Sequence, residues 1–84
     1  MQITKDSSDK EILDYPLDKS GNIVRNMGSI SFMAWVAKKI DGAPAYKGAT
    51  QEILLRVANP TLGKMSEGEK IQIIRKLLEL NITV

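Results

Sequence analysis

The stretch from Ser66 to Leu80 constrains this chain most. Ser66-Glu67-Gly68-Glu69 has the spacing of a capping box. In such a box the serine hydroxyl accepts from the Glu69 amide, and the Glu69 carboxylate returns to the amide of Ser66. Both glutamates also favour the positive end of the helix dipole. Ile71, Ile73, Ile74, Leu77, Leu78 and Leu80 then occupy one half of the helix. Gln72, Arg75, Lys76 and Glu79 form the opposite arc. An apolar arc of ~180° exceeds the ~100° that one supporting surface covers. A helix over 66–80 therefore needs two surfaces against it. Asn81 suits its C-terminal cap, and the apolar Ile82 and Val84 predict a docked tail.

One of those two surfaces is expected to be the helix that precedes 66–80 in the chain, and the other the first helix, the N-terminal hairpin or another subunit. Residues 30–40 carry Phe32, Met33, Val36, Ala37 and Ile40 at helical spacing, which predicts a helix over 30–41. Ser29 reads as its N-cap. Lys38 and Lys39 favour the negative end of its dipole, and Gly42 suits a left-handed terminator. Thr50 can cap another helix over 50–58, where Ile53, Leu54, Leu55, Val57 and Ala58 cover most of the circumference. Asn59-Pro60 stops it. The chain thus reads as mainly α: a compact three-helix domain with an N-terminal extended arm or short β-hairpin. The predicted core is Phe32, Met33, Val36, Ile40, Ile53, Leu54, Val57, Ile71, Ile74, Leu77 and Leu78.

The N-terminal part is harder to fold from pattern alone. Residues 1–10 are polar and read as a flexible arm. Leu13, Tyr15 and Leu17 alternate with Asp14 and Pro16, which predicts a short strand at an edge. Asp18-Lys19-Ser20-Gly21 is a turn, and Asn22 to Arg25 is the candidate returning strand. Residues 11–26 are accordingly a candidate hairpin, and 29–84 the helical body of a single domain. An extended arm without strand pairing is the alternative.

Composition excludes more than it selects. With 84 residues, 43% hydrophobic and 26% charged, the chain has ordinary globular composition. It holds no histidine and no cysteine. The usual metal ligands, the usual general base near neutral pH and the strongest nucleophile are all missing. Asp6, Asp9, Glu11, Asp14 and Asp18 lie in a polar segment with no apolar enclosure to raise a pKa. The chain therefore reads as a non-enzyme, with no catalytic, cofactor or metal residue. Residues 42–50 lack the Gly-Lys-Ser/Thr order of a phosphate loop, and Pro44 removes one amide. The 18–22 turn lacks the alternating carboxylates of a calcium loop. Absence of cysteine points to a cytoplasmic protein. The first nine residues carry no apolar stretch of the kind a secretion signal needs. No run approaches the ~18 apolar residues of a membrane span. Asn81-Ile82-Thr83 matches a glycosylation acceptor, which without a secretion signal reads as chance.

Charge is spread along the chain. The net charge is +2, with four bases and five acids in residues 1–28, three bases and one acid in 29–48, and five bases and four acids in 49–84. A small DNA-binding transcriptional regulator is the alternative reading, resting on the basic balance, Lys38/Lys39 and Lys64/Lys70. It is not favoured. The 59–65 linker is longer than the ~3–4 residue turn of a helix-turn-helix. The helix after it opens with Glu67 and Glu69, which would face phosphates and repel them.

What remains is a partner surface. Trp35 falls outside the predicted apolar face of its helix, beside Lys38 and Lys39. It either packs under Tyr15 and Leu17 or meets a partner, and tryptophan is enriched at interface hot spots. The candidate partner-binding residues are Trp35, Lys38, Lys39, Tyr46, Ile73 and Leu80. The expected partner is another protein or a second copy of the chain.

Leu17-Asp18-Lys19-Ser20-Gly21-Asn22-Ile23-Val24 and Ser66-Glu67-Gly68-Glu69-Lys70-Ile71 together give a layout that resembles small accessory proteins of tailed bacteriophages. In those, a polar N-terminal arm with an Asp-x-x-Gly turn precedes a compact helical body. The resemblance implies a regulator that binds a host or phage protein and has no chemistry of its own. It carries over no functional residue.

Overall fold

A computed structural model of the chain describes residues 2–42 and 65–84. Within them lie α1 (Asp9–Leu13), α2 (Ser29–Asp41) and α3 (Glu67–Glu79), with a single 3-10 turn at Val24–Asn26 between the first two. The described part is mostly helical and contains no strand. The helix expected over 50–58, with Ile53, Leu54 and Val57, lies outside the described residues, as does Tyr46.

α1 takes in the end of the expected flexible arm and Leu13, the first residue of the expected strand. Ser8 Oγ accepts from the Glu11 amide at 3.2 Å, and the Glu11 carboxylate accepts from the Ser8 amide at 3.4 Å. That reciprocal pair is a complete capping box, and it starts a helix that buries Ile12. The chain becomes extended only after Leu13. The expected hairpin shrinks to one antiparallel bridge, Pro16 to Ile23. Pro16 has no amide hydrogen to donate, so a ladder cannot continue through it.

The turn that follows has the expected chemistry. Asp18 Oδ1 accepts from the amides of Ser20 at 2.9 Å and Asn22 at 3.0 Å. Its Oδ2 accepts from Asn22 Nδ2 at 2.7 Å. Gly21 takes the left-handed conformation, φ 77°, that a side chain would disfavour. The Leu17 amide then donates to the Asn22 carbonyl at 2.8 Å and closes the loop.

Both ends of α2 differ from expectation. Its N-cap is Gly28, with no side-chain cap, and Ser29 is the first helical residue. The Ser29 hydroxyl instead accepts from the Met65 amide at 2.8 Å, fastening the entry of α3 to the start of α2. Gly42 ends the helix in the right-handed region, φ −77°, rather than the left-handed one.

α3 is capped at both ends. Ser66 Oγ accepts from the Glu69 amide at 3.2 Å. The Glu69 carboxylate meets the Ser66 hydroxyl, not its amide, so only half of the expected box forms. At the other end Asn81 is left-handed, φ 61°. The Asn81 amide donates to Leu78 O at 3.0 Å, and the Ile82 amide to Leu77 O at 2.9 Å. This is the Schellman pattern, completed by the burial of Ile82 and Leu77.

The wide apolar arc of α3 finds surfaces within the chain. α3 packs against α1 and the 3-10 turn. Ile71, Ile73, Ile74 and Leu77 join Ile3, Ile12, Leu17, Val24, Phe32, Val36, Ile40 and Ile82 in one buried cluster. Met33 and Leu78, expected in the core, sit half-buried at its margin. The N-terminal segment is part of this packing. Ile3 is buried, and Arg75 donates to the Lys5 carbonyl at 2.8 Å and to Asp9 at 2.6 Å.

Candidate functional site

The buried arc of α2 explains where Trp35 stands. At ~100° per residue, Trp35, Lys39, Phe32, Val36, Ile40 and Met33 follow one another around the helix. Phe32, Val36 and Ile40 are buried, while Trp35, Lys39 and Met33 are half-buried flanks. Ala37, expected on the apolar face, is exposed. The core face is thus rotated toward Trp35, which forms its edge rather than standing outside it.

Trp35 leans on Phe32. Their ring centroids lie 5.8 Å apart with planes at 29°. The indole N–H is buried and has no hydrogen-bond partner among the described residues. A buried donor left unpaired costs about 1–3 kcal/mol, and among the described residues it is packing, including the Phe32 ring, that offsets it. Leu17, one of its two expected covers, lines the same hollow as Trp35, while Tyr15 lines hollows on the N-terminal side.

Two hollows flank the indole. The larger, about 910 Å³, lies between the Asp18–Ser20 turn, the end of α2 and the C-terminal tail. Trp35, Leu17 and Ile82 give it an apolar lining, and Lys19, Lys38 and Lys39 are basic members of it. The smaller, about 560 Å³, runs along α2 past Ser31, Ala34 and Trp35 to Lys38, opposite Asn22, Asn26 and Met27. Asp18, Trp35 and Lys38 line both. Among the described residues Asp18 is the only carboxylate in either lining, and its hydrogen bonds within the turn, the Asn22 amide first among them, hold its pKa below the ordinary aspartate value of 3.8.

The candidate residues therefore divide. Trp35, Lys38 and Lys39 are brought together at the larger hollow. Leu80 is half-buried against the core and Ile73 is buried within it, 5% exposed, and neither lines the hollow at Trp35. Lys19, Ser20 and Thr83 complete the hollow and were not among the candidates. Lys19 lies sixteen positions before Trp35, and no local spacing links the two.

Lys70 is the second unexpected group. It is 4% exposed, the only buried charged residue among those described. Its Nζ donates to Val24 O at 3.1 Å and to Met27 O, and stands 5.9 Å from the centre of the Phe32 ring. Desolvation pushes its pKa below the ordinary lysine value, with Glu67 pulling it upward. The ammonium brackets α3 to the 3-10 turn, and its burial withdraws Lys70 from the bases available to a phosphate backbone.

Among the described residues no three potential metal-ligating side chains cluster, and no helix is long and apolar enough to cross a membrane. Comparisons with known protein families, with curated proteins and with solved structures return no match for this chain.

Proposed function

We propose that the chain is a non-enzymatic interaction module, a cytoplasmic regulator that works by binding another protein through the surface around Trp35. One observation carries this reading. A tryptophan whose N–H has no partner among the described residues separates two hollows, and three lysines line the larger. Large aromatic side chains with a partly exposed face are the usual anchors of protein interfaces. The resemblance to accessory proteins of tailed phages points the same way.

The test is capture from the native host with the immobilised chain, alongside Trp35→Ala and a control, Gln72→Ala, at an exposed position of α3. Circular dichroism checks that each variant is folded. The reading predicts that specifically retained proteins disappear with folded Trp35→Ala and persist with Gln72→Ala. Identical retention by all three chains would contradict it.

A further inference from the structure

We infer that the larger hollow receives an acidic segment of a partner protein, with an apolar side chain seated against Trp35 and carboxylates on the lysine rim. This rests on the interaction reading above and adds the chemistry of the partner. Lys38 and Lys39 alone would not carry it, because lysines in a last helical turn already complement the helix dipole. Lys19 is different. It comes from the Asp18 turn, is exposed, and owes nothing to the dipole of α2, yet it lines the same hollow. Three cations from two separate elements converge there, and the single carboxylate beside them among the described residues, Asp18, spends its oxygens on Ser20 and Asn22. Among the described residues, positive charge is therefore left without a counterpart in the hollow.

The lining argues for a protein segment over a nucleic acid. Leu17 and Ile82 are buried beneath the rim, 9% and 4% exposed, and the floor they make with Trp35 suits an aliphatic side chain. A phosphate backbone needs a longer track of bases than three lysines around one hollow, and its binding would rest on charge alone. An acidic segment with an apolar anchor satisfies both the rim and the floor. Complementary charge there sets orientation and encounter rate, and it is screened by salt.

Trp35 is the only tryptophan, so its emission reports on the hollow directly. The full chain is titrated with a short peptide of glutamates around a central leucine, with its glutamine counterpart, and with a single-stranded oligonucleotide. The inference predicts a saturable change in emission with the glutamate peptide only. Lys19→Gln combined with Lys38→Gln weakens it about tenfold, as loss of two rim charge pairs should. Lys19→Gln alone, in a turn outside α2, gives a partial loss should the double variant be poorly folded. Equal binding of the glutamine peptide would overturn the acidic class while leaving a docking surface in place. Tighter binding of the oligonucleotide would overturn it in favour of nucleic acid. No response to any of the three would also overturn it, and the capture comparison with Trp35→Ala would then decide the broader reading independently.

Discussion

Asp18 concentrates more hydrogen bonds than any other exposed side chain described. Three donors from two residues converge on its carboxylate, and they favour the ionised form. Its folded pKa therefore lies below the 3.8 of a free aspartate. A carboxylate with a depressed folded pKa contributes stability above its unfolded pKa and loses it as pH falls through the folded value. Asp18→Asn removes that dependence. Between about pH 5 and pH 2 the wild-type chain should lose more stability in urea unfolding than Asp18→Asn does. Parallel acid limbs for the two chains would contradict this role. The Asp18-Gly21 pairing was legible in the sequence, because aspartate and glycine at that spacing have a local reason to form a turn. The placement of Lys70 was equally local, although the sequence offered it only as one base of a nucleic-acid surface. It precedes Ile74 and Leu77 by four and seven positions, which places it on the apolar stripe of α3. Its carbonyl partners, at Val24 and Met27, lie over forty residues away, and no pattern within α3 announces them.

The elements show where local signals compete. Ser8-Asp9-Lys10-Glu11 has the same serine-to-glutamate spacing as Ser66 to Glu69, and it forms the complete box where the later one forms half. The alternation of Leu13, Tyr15 and Leu17 suggested a strand, yet the cap fixes the chain as helix through Leu13 first. A five-residue helix has little propagation energy of its own, so its cap matters more than in α3. Ser8→Ala should destabilise the fold by about 1 kcal/mol. Amide exchange should quicken at Glu11 and Ile12 before it changes in α3. Unchanged exchange in α1 would show that burial of Ile12 alone holds the helix. Ser29 teaches the complementary lesson. A serine just before an apolar run invites a capping role, but its hydroxyl is taken by Met65, thirty-six residues away.

At the scale of the molecule, the breadth of the apolar arc on α3 was readable from sequence, while the identity of what fills it was not. The sequence left the first helix, a hairpin and a second subunit open as covers. The observed neighbours include α1 and the 3-10 turn, two small elements that periodicity did not reveal. Ile71, Ile73, Ile74 and Leu77 are internal, Leu78 and Leu80 stay half-buried at the margin, and the flank of α2 is the candidate contact surface. The Cα radius of gyration, 11.8 Å, is the ~12 Å of a compact chain of this length. Trp35 walls a solvent-open hollow with Lys19, Lys38 and Lys39 on its rim. Quenching of its emission by iodide and by caesium ions tests this most directly. Iodide should quench more strongly than caesium once each is scaled to its quenching of free N-acetyltryptophanamide, and Lys19→Gln with Lys38→Gln should narrow the difference. Equal scaled quenching by both ions, or an indole that neither can reach, would contradict a positive, open rim.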